Sequence, residues 1–375
     1  MDHSVECVDL DGAAARAASW RDLCSRALEA NAFAEPSFVL NCARHLAPGR
    51  LEFLFAWQDA SRRRLVGVMA IEPPRLGVAQ VWQSDQAALA AIALDRDEAA
   101  AAFDSAAEWL RRERPRIAGL FVPTLAEKTG TASLLEEFAK RRAFAFSAIA
   151  PRQRAVLLAV GGKRARLDDL LPGKRLKEWR RLRRRLEERG PLVFRSAEEA
   201  ETPSALEAFL TLETKSWKGR NGAPLGADEA RARFARTMTA AMSSEGKLRF
   251  DALELAGQPI AMGVILFAKD RAFYWKTAYD EAFADFSPGV LLTLDISRRQ
   301  QDDRAVAATD SCAIAGHPMI DRLWPQRLAL VDCLVAIGPG GASRLRAWRA
   351  QSELGGRLKD VAKRLVYPLI GRKRS

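Results

Sequence analysis

Residues 248–302 read LRFDALELAGQPIAMGVILFAKDRAFYWKTAYDEAFADFSPGVLLTLDISRRQQD. Three runs rich in apolar residues are separated by two turn-like segments, Ala256-Gly257-Gln258-Pro259 and Lys269-Asp270-Arg271. Turn residues between short apolar runs predict three strands joined as antiparallel hairpins. After the third run, Ser287-Pro288-Gly289 opens a helical segment, because Ser can cap a free N–H and Pro needs none at the first helical position. The positive end of this helix is therefore expected where the third strand stops.

Four short elements distinguish the C-terminal half of the chain. They are SWKGR at 216–220, YWKTAYD at 274–280, FSPGVLL at 286–292, and Asp310 followed by Gly316. With these elements in this order, the chain resembles the CelD/BioF-like branch of the GNAT acetyltransferase superfamily over residues 176–337. The resemblance implies a first half of similar layout, as in the double-GNAT FemABX aminoacyl transferases. It also implies acetyl-CoA or another acyl-CoA as donor and an amine as acceptor.

A chain of 375 residues is long for a single hydrophobic core, so two domains are expected. The first half interleaves strand-like and helix-like segments, which is typical of an α/β lobe. Together with the resemblance, this predicts an α/β (α+β) fold of two tandem GNAT-like lobes, each a mixed, mostly antiparallel sheet flanked by helices. We place the lobes at 1–160 and 161–340, because Gly161-Gly162 and a charged run mark a boundary. Residues 341–375 are predicted to form a basic amphipathic helix and tail.

Local patterns in the first half give further expectations. Apolar spacing predicts a helix over residues 13–30, and Glu35-Pro36 should open a second one. Residues 51–57 and 65–71 read as a hairpin, which Pro73-Pro74 should stop.

The composition excludes several classes of protein. Hydrophobic residues make up 48% and charged residues 28%, as in soluble globular proteins, and no apolar run approaches the ~20 residues that span a bilayer. Five scattered cysteines and three histidines show no metal-ligand spacing, so no metal site is expected. The acidic N-terminus does not read as a signal peptide, and reduced thiols fit the cytoplasm. A net charge of +12 indicates an anionic partner, such as a CoA thioester, a nucleic acid, a phosphorylated acceptor or a membrane surface.

Two basic segments could provide a surface for that partner. A predicted helix over 170–189 has one apolar face, and its basic face carries Lys174, Arg175, Lys177, Arg180, Arg181, Arg183, Arg184 and Arg185. This face is either solvated, as most charge runs are, or it binds CoA phosphates, tRNA or an anionic acceptor. The basic segment 343–375 either packs on the protein or lies on a membrane surface. The protein is accordingly expected in the cytoplasm or peripherally at the inner membrane surface.

The helix after the third strand is the predicted site for the phosphates of the donor. Free N–H groups and the helix dipole both favour an anion at a helix N-terminus. Ser287, Gly289, Val290 and Leu291 are placed to bind one there. The usual glycine-rich phosphate run of the superfamily is absent, since only FSPG stands at this point. The alternative is a capped helix that binds nothing.

Acyl transfer to an amine also needs groups that move protons and polarise the thioester carbonyl. Tyr279 and Asp280 end the third strand, and they are candidates for an acid or base and for a carboxylate that fixes the loop. The resemblance places a carboxylate near the acceptor in a later loop, where Asp310 is the candidate and His317 is a candidate base. Cys312 lies close to His317 in sequence, which raises covalent catalysis as an alternative.

Residues predicted to bind the acceptor surround these candidates. Trp217 and Arg220 could wall the acceptor cleft, or the Trp could simply anchor its loop to the core. Lys276 lies in the middle of a strand, where a lysine needs an exposed face, an acid partner or an anionic ligand. Asp321 and Arg322 lie in the same loop as the candidate base.

Three hypotheses follow for the function. The first is an N-acyltransferase that moves an acyl group, acetyl in the simplest case, from CoA to an amine of a sugar, a polysaccharide precursor or a small molecule by direct attack. The second is a FemABX-like transferase that uses aminoacyl-tRNA. The third is a non-catalytic module that binds nucleic acid or a membrane surface.

Overall fold

A single mixed sheet of 13 strands forms the centre of the protein. The computed structural model describes residues 3–49, 51–127, 130–159, 165–215 and 224–353. The strands are β1 (Ser4–Val8), β2 (Glu52–Trp57), β3 (Leu65–Arg75), β4 (Val78–Val81), β5 (Ile92–Leu94), β6 (Gly119–Ala126), β7 (Phe146–Leu158), β8 (Leu192–Ser196), β9 (Leu248–Leu255), β10 (Gln258–Ala268), β11 (Arg271–Tyr279), β12 (Ala308–Asp310) and β13 (Gln326–Ala336).

Helices flank this sheet. Over the ranges described they are α1 (Leu10–Ala15), α2 (Ala17–Ser25), α3 (Pro36–Leu46), α4 (Ala99–Glu113), α5 (Gly130–Arg142), α6 (Leu167–Leu170), α7 (Gly173–Glu187), α8 (Thr202–Lys215), α9 (Glu229–Ser244), α10 (Pro288–Asp302), α11 (Ile320–Leu323) and α12 (341–353). No helix in these ranges is long and apolar enough to cross a membrane.

The strand order is β1-β2-β3-β4-β6-β13-β7-β12-β11-β10-β9-β8, with β5 paired to β3. Most neighbours are antiparallel, and the pairs β4–β6 and β11–β12 are parallel. This arrangement confirms the predicted fold class, a mixed and mostly antiparallel sheet flanked by helices.

The two halves of the chain exchange strands at the middle of the sheet. β7, from the first half, pairs with β12 of the second half, with Asp310 opposite Val156. β13, the last strand, lies between β6 and β7, with Leu334 opposite Phe121 on one side and Ser147 on the other. Each half therefore completes the sheet of the other. The division at 160/161 stays a prediction, since residues 160–164 lie outside those described.

The hairpins of residues 248–279 form as predicted. β9 and β10 are joined by Ala256 (φ 50°) and Gly257 (φ 77°). Two consecutive residues with positive φ give the turn whose twist matches that of the flanking strands. β10 and β11 form the second hairpin, with Ala261 opposite Tyr279.

Two local expectations in the first half were wrong. β3 does not stop at Pro73-Pro74 but runs to Arg75, because both prolines are exposed where the pairing with β4 is irregular, and no ladder N–H is needed there. The helix expected over 13–30 is divided at Arg16, which leaves helical geometry and bonds Glu6 through Nε at 2.6 Å.

The two basic segments differ in how they meet the protein. α7 buries Leu176, Leu182 and Leu186 and leaves most of its basic face exposed. Arg183 is the exception, because it is half-buried and pairs with Asp295 on α10. α12 packs on the first half of the sheet through a buried leucine and a tryptophan, since Leu345 is 6% exposed and the rings of Trp348 and Phe121 lie 4.4 Å apart.

An aromatic cluster joins the two halves above one face of the sheet. Phe33 and Phe38, from the first half, make edge-to-face contacts with Phe273 and Trp275 of β11, at centroid distances of 5.5 and 6.0 Å. Phe234 of α9 contacts Phe38 at 5.7 Å. Such pairs add about 0.5–1.5 kcal/mol each beyond their buried area. The two halves therefore share a core and are not separate bodies.

A buried ion pair lies where β7 meets β12. Arg154 and Asp310 are each 5% exposed, and Arg154 Nη2 donates to Asp310 Oδ2 at 2.5 Å. Arg154 Nη1 also donates to the carbonyl of Ala88 at 3.1 Å, and Asp310 Oδ1 accepts from the N–H of Cys312 at 2.9 Å. The pair thus ties a strand from each half to the loop that follows β12.

Replacing Asp310 with Asn should test the importance of this pair. The change keeps the side-chain volume but leaves the Arg154 guanidinium buried without its counter-charge, so we expect the free energy of unfolding to fall by about 3–5 kcal/mol in urea titrations. Asp302→Asn is the matched control. It removes an exposed partner of Arg166 and should cost less than about 1 kcal/mol. Equal effects of the two substitutions would contradict this role for Asp310.

Candidate active site

A cleft opens where two parallel strands diverge. β11 and β12 pair from Arg271↔Ala308 to Phe273↔Asp310, and there β12 ends. β11 continues to Tyr279, whereas the chain after β12 turns away through Cys312, whose φ of 52° is left-handed. Such a backbone conformation is unusual for a residue other than glycine and is frequent at functional sites. The divergence produces a cavity of about 340 Å³.

The cavity has walls from three parts of the chain. Its lining residues are Tyr274, Trp275, Lys276 and Thr277 on β11, Ser311, Cys312, Ala313, Ile314, His317, Met319 and Ile320 after β12, and Glu213 and Pro224 from the end of α8 and beyond. Apolar side chains alternate with a few polar and ionisable ones, as is common in small-molecule sites. Ile314 is 76% exposed at the rim.

Lys276 is the cation of this cavity. Its side chain is half-buried, and Nζ lies 5.2 Å from the centroid of the Trp275 ring. Burial lowers the pKa of Lys276, an effect that the carboxylates of Glu213 and Asp85 oppose and the guanidinium of Arg231 reinforces. Lys276 therefore loses its proton more readily than an exposed lysine does.

His317 faces the cavity in a defined orientation. Its Nδ1 accepts the N–H groups of Met319 at 3.3 Å and Ile320 at 3.5 Å, at the start of α11. A ring nitrogen that accepts hydrogen bonds carries no proton, so the neutral imidazole bears its proton on Nε2. This geometry favours His317 as a hydrogen-bond donor to a ligand, whereas the sequence suggested a base.

The other predicted catalytic residues lie outside the lining of this cavity. Asp280 Oδ1 accepts the N–H of Ala282 at 2.9 Å and so fixes the start of the 3₁₀ turn Glu281–Phe286. This contact fits a carboxylate that fixes the loop, which is one of the two roles suggested by the sequence. Tyr279 packs its ring over Gly289. Asp310 is held by Arg154 and lines a second cavity of about 510 Å³ between the halves.

The start of α10 differs from the predicted phosphate site. Ser287 has a left-handed backbone (φ 52°), and its side chain makes no capping hydrogen bond, because the preceding 3₁₀ turn brings the chain in at an unusual angle. Pro288 has no N–H, and the N–H of Val290 donates back to the Ser287 carbonyl at 2.9 Å. Within the described chain, Gly289 alone in this first turn keeps an N–H without a backbone acceptor, and Gly289 is buried.

Leu291 does not face a ligand site, because its side chain is 1% exposed and lies in the core. Cations nevertheless lie beside the start of α10. The guanidinium groups of Arg185 and Arg189 lie 5.2 and 4.4 Å from the ring centroid of Phe286, one residue before Ser287. Both arginines are exposed. The basic face of α7 thus ends at the point where the donor phosphates were expected.

The predicted acceptor residues are only partly brought together. Lys276 lines the cavity, whereas Asp321 and Arg322 lie on α11 outside it, with Arg322 exposed and the Asp321 carbonyl accepting from Arg327 at 3.2 Å. Trp217 and Arg220 fall in 216–223, outside the described residues.

Glu213 was not among the site residues predicted from the sequence. Its side chain is 3% exposed, and Oε2 accepts the N–H of Leu225 at 2.6 Å. A signal was available, since Glu213 follows Leu206 by seven residues and Phe209 by four and so lies on the buried stripe of α8. A carboxylate on a buried stripe is rare without a partner or a function.

Comparison with known proteins supports the chemistry of this half of the chain. Residues 173–311 match the family described as acetyltransferase (GNAT) domain. No curated protein matches the sequence. The CelD/BioF-like branch within the superfamily stays a prediction.

Solved structures share the fold across both halves. FemX is 11% identical, with 88% of this chain and 96% of that chain covered and a TM-score of 0.56. The C-terminal domain of a candidate lysylphosphatidylglycerol synthetase from Agrobacterium fabrum is 11% identical, with 90% and 96% covered and a TM-score of 0.53. A conserved protein of unknown function from Bacteroides thetaiotaomicron is 10% identical, with 89% and 99% covered and a TM-score of 0.55. These likenesses concern the fold alone. The match of residues 173–311 to a GNAT acetyltransferase domain supports an acyltransferase.

Proposed function

We propose that the protein transfers an acyl group, acetyl in the simplest case, from CoA to an amine by direct attack in the cavity between β11 and residues 311–320. The observation that carries this proposal is the divergence of β11 from β12, which opens the cavity at the end of the sheet where α10 begins. The acceptor class is an amino sugar, a polysaccharide precursor or a small amine.

The free edge of β11 suits the arm of the donor. β11 pairs with β10 as far as Tyr279, but with β12 only as far as Phe273, so its other edge beyond Phe273 faces the cleft. An unpaired strand edge offers backbone donors and acceptors in a row. The pantetheine arm of CoA carries two amides and can pair with that edge in an extended conformation.

The phosphates of the donor would then lie near the start of α10. The start of α10 itself contributes little, because Gly289, the residue of its first turn whose N–H lacks a backbone acceptor, is buried. Arg185, on α7, and Arg189, just after the end of α7, supply the positive charge. Contacts from these two arginines would replace the backbone contacts of the glycine-rich phosphate run, which is absent from this chain.

The cavity residues can serve two of the chemical requirements of the transfer. Nε2–H of His317 can donate to the carbonyl oxygen as it becomes an oxyanion. Glu213 is a carboxylate that can take a proton from the ammonium group of the acceptor, so that the neutral amine attacks. As the new C–N bond forms and the C–S bond breaks, the departing thiolate takes up the second proton that the nitrogen loses, and no acyl-enzyme is formed.

A second donor is supported by one observation. The exposed basic face of α7 lies beside the donor end of the cleft and presents Lys174, Arg175, Lys177, Arg180, Arg181, Arg184 and Arg185. A large polyanion such as aminoacyl-tRNA would cover this face, as the FemABX-like alternative requires. Salt-sensitive retention of tRNA would favour that donor, and CoA binding favours the first.

CoA should raise the melting temperature of the protein, because it binds the folded state.

The double substitution Arg185→Ala with Arg189→Ala should weaken CoA binding about tenfold or more, since each arginine contributes a charge-assisted contact to phosphate. Calorimetric titration of CoA measures this. Lys177→Ala with Arg184→Ala is the control, because it removes the same charge from the outer face of α7. Equal losses in both variants, or no binding of CoA to the wild type, would refute the donor assignment.

Replacing His317 with Ala should lower kcat for acyl transfer about a hundredfold and leave the KM for CoA unchanged, because it removes a donor to the oxyanion. His317→Gln should retain more activity than the Ala variant, since its amide can still donate. Release of CoA thiol measures the rates. His45→Ala is the control, because His45 lies on α3 and is not among the residues that line the cavity. A His317→Ala variant with wild-type kcat would remove His317 from the mechanism.

Thiol reagents should leave the activity intact. Burial raises the pKa of the Cys312 thiol well above its usual range, and it raises that of Cys7 to about 11 and that of Cys42 to about 12. Protonated thiols are poor nucleophiles, so iodoacetamide at neutral pH should label the native protein slowly. Cys312→Ala should retain kcat. Detection of an acyl group on Cys312 by mass spectrometry after mixing with acetyl-CoA would instead establish covalent catalysis.

A further inference from the structure

Lys276 is a half-buried cation that forms no ion pair with any residue in the described part of the chain. Within the ranges that the structure describes, no carboxylate oxygen lies within 4 Å of its Nζ and no acceptor bonds it; the contact recorded for Nζ is the Trp275 ring. Lys247 shows the usual arrangement, because its Nζ lies 2.8 Å from Glu35 and 3.0 Å from Glu245. Removing an ammonium group from water is costly unless a partner compensates it.

The ionisable groups around Lys276 already have other hydrogen-bond or ion-pair partners. Asp85, on the loop after β4, pairs with Arg231 of α9 at 3.2 Å. Glu213, at the end of α8, accepts the N–H of Leu225. His317, from the loop after β12, accepts two backbone N–H groups. Residues 216–223, which follow α8, contain two cations and no Asp or Glu.

The missing negative charge can therefore come from the cavity. We infer that Lys276 binds an anionic group of the acceptor, so that the substrates of this transferase are amines that also carry a carboxylate or a phosphate. This inference rests on the proposed function and specifies its acceptor. Glu213 and Lys276 line the same cavity with opposite charges, which suits a molecule with an ammonium group at one end and an anion at the other.

Proton linkage gives this assignment a distinct signature. Burial lowers the pKa of free Lys276, and a bound anion raises it again. The anion prefers the protonated lysine, so the affinity for an anionic amine should fall as the pH rises through the pKa of the free lysine. Other ionisable groups face the same region, namely Asp85, Glu213, Arg231 and His317. The pH dependence of the affinity is therefore compared between the wild type and a variant that lacks only Lys276.

The test uses matched amines that differ in one anionic group: glucosamine against glucosamine phosphate, and alaninamide against alanine. Binding is measured calorimetrically with CoA present, and KM is measured wherever turnover occurs. The wild type should prefer the anionic member of at least one pair. Lys276→Met should weaken binding of that member by about thirtyfold or more and abolish the preference, because a buried charge pair loses one partner. Lys276→Arg should keep the preference. A preference within the glucosamine pair would identify phosphate as the anion, and a preference within the alanine pair would identify carboxylate.

Lys215→Met is the matched control, because it removes an exposed lysine two residues after Glu213. The melting temperature of unliganded Lys276→Met should not fall, since the substitution removes an uncompensated charge. Amines without an anionic group that bind as tightly as those with one, or a preference that survives in Lys276→Met, would overturn the inference. A loss of kcat in that variant for amines without an anionic group would also overturn it and would identify Lys276 as the proton acceptor. CoA binding in the same variants reports separately on the proposed function.

Discussion

The insertion of β13 between β6 and β7 is the constraint on which the rest of the structure depends. Without it, β6 would end the sheet of the first half as an unpaired edge, and β7 would lack one of its two neighbours. With it, β7 has β13 on one edge and β12 on the other. β12 is only three residues long, and all three pair with β7 on one side and with β11 on the other. The cavity wall formed by residues 311–320 therefore follows a strand that is held in part by the opposite half.

The first half contains a similar divergence that is closed. β4 and β6 pair in parallel over Val78↔Gly119 to Gln80↔Phe121 and then separate, as β11 and β12 do. Thr124, which has a left-handed φ of 45°, donates from Oγ1 to Gln83 at 3.0 Å and so bridges the separating strands. Arg152 and Asp332 bond the same threonine at 2.5 and 2.8 Å. The first half thus bridges its separating strands with hydrogen bonds between its own side chains, whereas the second half has a cavity between its separating strands.

Much of this fold could be predicted from local sequence, and the failures have physical causes. The β9–β10 hairpin was predictable because Ala256-Gly257 sets its turn. The strand exchange was not, because pairings between residues as distant as Phe121 and Leu334 leave no local pattern. Of the predicted site residues, Lys276 and His317 line the cavity, and their predicted roles stay predictions. Ser287 was predicted to cap α10, but its side chain makes no capping hydrogen bond. Arg154 was not singled out, because no spacing distinguishes a buried arginine from the many exposed ones.

Net charge was informative about the class of partner but not about the place of binding. The net charge of +12 comes from cations in several parts of the chain, including α7 and α12. Exposed cations interact weakly with any anion, because water and salt screen them. Burial changes this. Arg154 is buried against a carboxylate at hydrogen-bond distance, whereas Lys276 has no carboxylate within 4 Å among the described residues. The difference between these two cations lies in their partners and not in their number. The inferred anionic acceptor therefore depends on one half-buried lysine and not on the whole basic surface.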